Sequence, residues 1–196
     1  MKNTDNIFNI IYNKEVPAPG KLLLADPFLT GYPFCRSVVL LVSHTIENSM
    51  GLIINVPLIQ TLNELIPELE HLEEIPLFRG GPLGEEVLFF IHTYPDIEGA
   101  FPLTKNLYFN GNFDQVKQLL AERKLDPNQF KFFLGYSGWG DSQLEEELKA
   151  NSWIITEAPA LYLIHQRYDL LWQELLKSMG GKYKLWARYP LIPSLN

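Results

Sequence analysis

Cysteine is almost absent. A single thiol, Cys35, in 196 residues excludes an intrachain disulfide and leaves no CxxC pair for redox or zinc chemistry. Set between Phe34 and Arg36 beside an apolar run, it reads as a small buried hydrophobe. Paired histidines are also missing. His44, His71, His92 and His165 stand alone, without H-x-H or HExxH spacing, so neither a metal site nor a cofactor is expected. Positive charge is scarce: 16 Lys and Arg against 23 Asp and Glu give a net charge of −7. Such a field repels phosphate backbones on average and argues against direct nucleic-acid binding as the main task. No apolar run approaches the length of a membrane span. The opening "MKNTDNIFNIIYNKEVPAPG" has only a short, asparagine-broken apolar patch and no small-residue cleavage site, unlike a signal peptide. The expectation is a cytoplasmic protein without a membrane role. It has a leader over residues 1–19, with room for a short helix, and one domain over residues 20–196.

What the chain does have is material for a core. Hydrophobic residues reach 46%, with twelve Phe, nine Tyr and four Trp, each aromatic able to bury a large apolar area. "SVVLLVSH" is an apolar, β-branched run of buried-strand type. The short polar link "ENSM" joins it to "GLIINVP", which predicts a hairpin. Further strands are expected in "GKLLLADP", "EIPLF", "EEVLFFIHTYP", "QFKFFLGYS" and "SWIITEAP". Helices are expected from Thr61, over "NFDQVKQLLAERK", over "DSQLEEELKAN" and over "DLLWQELLKSMGG", the last stopped by Gly180. Thr61 with Glu64, Asn112 with Gln115, and Ser142 with Glu145 each have capping-box spacing. Strands and helices are interspersed, so the fold class is α/β or α+β: one compact domain, a mixed bent sheet and helices on its faces.

Two glycine-rich stretches invite chemistry. "LGYSGWGDSQLEEEL" has the strand–turn–helix layout of a nucleophile elbow around Ser137. The elbow pattern is G-x-S-x-G, and here Trp139 stands where a small residue is required. No histidine is placed by spacing to serve Ser137. Acids in the first turn of the following helix would repel a bound anion. Leu144 and Leu148 would face the sheet, and Glu145 with Lys149 would pair outside. "FRGGPLGEE" could aim backbone N–H groups at an anion beside Arg79, yet it lacks the length and Lys-Ser/Thr pair of a P-loop.

Two minor features complete the inventory. "ELEHLEE", around His71, reads as a solvated acidic face. The tail "GKYKLWARY" reads as an extended strand, its prolines excluding a helix. Tyr183, Leu185 and Tyr189 would share one face and the cations Lys182, Lys184 and Arg188 the other.

In order and at these spacings, "GKLLLADP", "FCRSVVLLVSH", "GLIINVP", "FRGGP" and "GYSGWGDSQLEEEL" with a trailing "SW" resemble the AlgH/YqgE family of bacterial proteins. The resemblance runs from about Gly20 to Gly180. It implies a compact α/β fold with a bent sheet, and it carries over no catalytic residues. A regulatory or transcription-linked role has been attached to some family members. The family pattern places alanine where Ser137 stands and glycine where Ser142 stands. The functional expectation is a binding or regulatory protein without its own catalysis. Its expected site is Arg79, Gly80, Gly81, Tyr136, Ser137, Trp139, Gln143 and Glu145, converging at one sheet edge. The occupant would be a protein partner or small ligand, with Trp139 as aromatic anchor. The alternatives are a hydrolase using Ser137 or His44, and nucleic-acid binding through Lys182, Lys184 and Arg188.

Overall fold

The computed structural model describes residues 15–165 and 168–189. Its strands are β1 (Leu22–Ala25), β2 (Val38–His44), β3 (Ser49–Ile53), β4 (Pro57–Thr61), β5 (Pro76–Arg79), β6 (Leu83–His92), β7 (Phe101–Thr104), β8 (Leu107–Phe109), β9 (Phe130–Trp139) and β10 (Trp153–Thr156). The helices are α1 (Leu62–Leu65), α2 (Phe113–Ala121), α3 (Gln143–Lys149), α4 (Ala160–His165), α5 (Leu171–Met179) and α6 (Tyr183–Trp186). They form one mixed α+β domain around a ten-stranded sheet of order β10-β1-β2-β3-β9-β6-β8-β7, with β4 and β5 as a side branch off β9.

Pairing is antiparallel everywhere except between β5 and β9. The β10-β1-β2-β3 half is covered on both faces. Leu22, Leu24, Val38 and Leu40 pack with α4, α5 and α6, whereas Leu23, Ala25, Val39 and Leu41 pack with Trp139 and with Leu144 of α3. Burial on both sides explains why β1 and β2 read as continuous apolar runs. In the other half, Leu77, Phe90, Phe130 and Phe132 pack with Val116 and Leu120 of α2. β9 belongs to both halves. Its Leu77↔Phe132 to Arg79↔Leu134 segment runs parallel to β5, and its last three residues pair with Ser49–Gly51 of β3.

Several expectations change. The stretch "LGYSGWG" is not a strand–turn–helix corner, because the strand continues through Trp139. Gly135 takes φ +71 between the β5-paired and β3-paired segments, a conformation cheap only for glycine. Ser142 does not close a capping box: its φ is +56, it gives no cap bond, and its hydroxyl donates to Asp141. Instead the Gln143 side chain reaches back to accept from the Gly140 N–H. Thr61 gives no cap bond either. Asn112 does accept from the Gln115 N–H, while the Gln115 side chain is engaged by the Glu98 N–H. The tail is helical at Tyr183–Trp186, not an extended strand. Trp186 and Ala187 are buried and Tyr183 packs against the same core, an i, i+3, i+4 spacing that puts the three on one helical face. Strands β4 and β7 and helix α4 have no counterpart in the sequence reading. Of the leader over residues 1–19, with its room for a short helix, residues 1–14 lie outside the described residues.

Candidate functional site

β5 and β6 lie on opposite edges of β9, so the chain linking them has to cross over it. That link is Gly80–Gly81–Pro82, and it crosses at Gly135 and Tyr136. The Gly80 N–H donates to Leu134 O at 2.8 Å, and Gly80 O accepts from the Ile53 N–H at 2.8 Å and the Ser137 hydroxyl at 3.1 Å. A Cβ on Gly80 would stand 2.0 Å from Gly135 O, and one on Gly81 would stand 2.1 Å from the Tyr136 carbonyl carbon. Neither distance is sterically possible. The two glycine-rich stretches are therefore two sides of one backbone-on-backbone crossing, and both are coded by the topology.

This crossing sorts the expected site residues. Gly80, Gly81 and Ser137 are buried, and the Ser137 hydroxyl is spent on a backbone carbonyl. The alternative of a nucleophile at Ser137 is disfavoured: the hydroxyl is buried and donates to a backbone carbonyl. Tyr136 is half-buried, its ring edge-on to Phe89. Arg79 pairs with Glu85 and lies over the Tyr32 ring. Trp139 is 4% exposed, so as a protruding anchor it is corrected: it is a wall. Glu145 does not pair with Lys149. It stands 3.8 Å from His44 Nε2, beyond hydrogen-bond reach. His44 Nδ1 is 2.7 Å from Ser49 Oγ, and Ser49 is itself buried. The cations of the tail do not form a strand face. Lys182 lies over the rings of Tyr183 and Trp186, and Lys184 and Arg188 sit exposed one turn apart.

Beside the crossing, the structure opens a groove of about 350 Å³ that draws on both glycine-rich stretches. Pro82, Leu83, Gly138, Trp139 and Gln143 line it, with Leu29, Phe34 and Trp153 completing the apolar wall. Trp139 and Trp153 meet edge to face at 6.0 Å, as do Phe34 and Trp153 at 5.7 Å. Beneath them Glu147 is fully engaged. Its Oε2 accepts from the indoles of Trp139 (2.9 Å) and Trp153 (2.6 Å), and its Oε1 accepts from Gln143 (2.9 Å). Charge-assisted bonds of this kind fix ring orientation strongly. Leu83, 44% exposed, stands at the rim. Glu147 carried no signal in the sequence: it is one acid among several on an acidic helix, and only the tertiary fold brings two indoles to it.

The described residues contain no cluster of three or more His, Cys, Asp or Glu side chains able to hold a metal ion, and no helix long and apolar enough to cross a membrane.

Residues 22–184 match the model of a protein family described as AlgH-like. The chain belongs to the AlgH-like family. Among its relatives are UPF0301 proteins of Bacteroides fragilis, 47% identical over 99% of this chain and 98% of the relative, and of Bacteroides thetaiotaomicron, 43% identical over the whole of both. Two solved structures share the fold. A crystal structure of a Corynebacterium diphtheriae protein has a TM-score of 0.76 at 20% identity, covering 96% of this chain and 100% of its own. The solution structure of AlgH from Pseudomonas aeruginosa has a TM-score of 0.69 at 23% identity, covering 91% of this chain and 98% of its own. The family resemblance read from the sequence is thus established, and with it the fold class.

Proposed function

We propose that this AlgH-like protein acts by binding rather than by its own catalysis, and that the groove between Leu83 and Gln143 receives an apolar side chain of a protein partner. The reading is carried by one observation: the groove is walled by aromatic rings while its only acid, Glu147, is saturated from within. With the carboxylate engaged by three donors, recognition falls mainly to shape and apolar contact, Ser152 being the remaining small polar residue of the lining. A volume of about 350 Å³ suits one large anchoring side chain, and such anchors dominate protein interfaces. Exposed Tyr32, Leu83 and Val87 extend the apolar surface beyond the groove.

A regulatory or transcription-linked role would run through that partner. The net charge of −7 disfavours a phosphate backbone as the direct target, as does the separation of the tail cations, of which Lys184 alone lies in α6 and Lys182 is held over aromatic rings. The single cysteine suits a reducing, cytoplasmic setting.

The test is affinity capture from bacterial lysate with wild type and Leu83→Glu, both checked for fold by circular dichroism. The expected result is a captured protein that the glutamate variant loses. An identical captured set from both proteins refutes the groove as the docking site.

A further inference from the structure

Far from the groove, at the start of β9, lies a buried cation. Strand alternation sends Phe130 and Phe132 into the core beneath α2, which turns Lys131 and Phe133 to the opposite face. There α4 covers the lysine. Lys131 is 4% exposed. Its Nζ donates to Leu163 O at 3.1 Å and lies 4.3 Å from the centre of the Phe78 ring. None of the ion pairs among the described residues includes it. An ammonium has three N–H donors, and one carbonyl serves one of them.

Lys131 lines a cavity of about 730 Å³, within the size range of small-molecule sites. Phe78, Leu120, Leu125, Phe130 and Ile164 give it apolar walls. We propose that this cavity binds a small monocarboxylate with an apolar body, and that Lys131 is its buried counter-charge. The carboxylate supplies the acceptors that the ammonium lacks, and in a low-dielectric interior opposite charges attract strongly. The apolar walls take up the chain or ring of the ligand. One carboxylate is favoured over two because Glu73 and Glu74, exposed at the mouth, repel a second negative end, while Arg123 beside them attracts the first on entry.

The same geometry couples binding to protons. Burial lowers the Lys131 pKa from its ordinary 10.5 to about 7, so slightly above neutrality the empty site is largely uncharged. A bound carboxylate restores the charge and draws a proton onto Nζ. His71, Glu73, Glu74, Arg123 and Tyr168 also face the cavity, so the lysine's share has to be isolated by substitution.

The experiment is calorimetric titration with octanoate at about pH 8, in two buffers of different ionisation heat. 1-Octanol serves as the uncharged control. Wild type should bind octanoate saturably with proton uptake. Lys131→Met, which matches the stem and removes the charge, should weaken binding by at least about tenfold and abolish the uptake. Leu125→Trp keeps the charge and fills the cavity, and should also weaken binding. The proposal is overturned if octanoate shows no saturable binding up to millimolar concentration. It is equally overturned if Lys131→Met binds octanoate as wild type does, or if octanol binds as tightly as octanoate.

Discussion

The two ends of β9 solve opposite problems. At its C-terminal half, around Gly135 and Ser137, backbones touch and the polar groups of the crossing are paired: Gly80 uses both its N–H and its carbonyl, Ser137 its hydroxyl, and Glu147 both oxygens, with the Nε of Arg79 left unpartnered beside them. At its N-terminal half, Lys131 brings a charge into the interior with one carbonyl and one ring for company. Satisfied polar groups make a rigid scaffold, whereas an under-satisfied buried cation costs stability. A fold tolerates that cost where a ligand repays it. The contrast shows that glycine richness marks architecture here, a crossing with a groove opening beside it. The glycines mark a crossing, and the conspicuous chemistry lies in a lone lysine amid phenylalanines.

The comparison breaks most sharply at Gly81. Gly81→Ala puts a Cβ 2.1 Å from the Tyr136 backbone, with no flexible side chain to yield. The expected outcome is loss of the folded state, a destabilisation above about 4 kcal/mol, read as collapse of the cooperative urea transition. A folded Gly81→Ala protein of near wild-type stability would mean the crossing is looser than described.

Next comes Lys131→Met, read as stability against pH. The folded-state pKa of about 7 lies below the ordinary 10.5, so between these values the unfolded chain holds more protons. Wild type therefore gains stability as pH rises through that window, by up to about 5 kcal/mol. The methionine variant lacks this gain. It should be the more stable protein near pH 7 and lose its advantage by about pH 10. Parallel stability curves for the two proteins would remove the buried charge from the account.

The smallest effect is expected at Glu147→Gln. The amide oxygen still accepts from the indoles, but without charge, so about 1–2 kcal/mol of stability is lost. The emission of Trp139 and Trp153 should shift at the same time, and an unchanged spectrum would show the indoles held by packing alone.

Much of the fold was legible because its signals are local. The β2–β3 hairpin shows in two apolar runs joined by polar residues, and α5 shows in its spacing and in the Gly180 stop, where φ is +73. The site was less legible. "FRGGP" and "GYSGW" meet over the central strand β9, where Gly80 and Leu134 are hydrogen-bonded, and not at a sheet edge as expected; no local pattern says that a link crosses a strand. Lys131 carries no signal in "QFKFFLGYS", which reads simply as a strand. By alternation alone a lysine goes to solvent, and only α4, which left no recognised signal, turns that face inward. "KYKLWARY" carries both periods, and burial of Trp186 decides for the helix.

The shared position of β9 has a consequence for the order in which the chain is made. β3, β5 and β6 all emerge from the ribosome before the strand that joins them, and each keeps an unpaired edge until residues 130–139 follow. Until then the apolar faces of β5 and β6 have only partial cover, a state exposed to aggregation. Closure then requires pairing across long sequence separations at three edges together, which is slow by nature. The late arrival of one ten-residue strand thus makes a ribosomal pause just before residue 130 more hazardous than one just after residue 139.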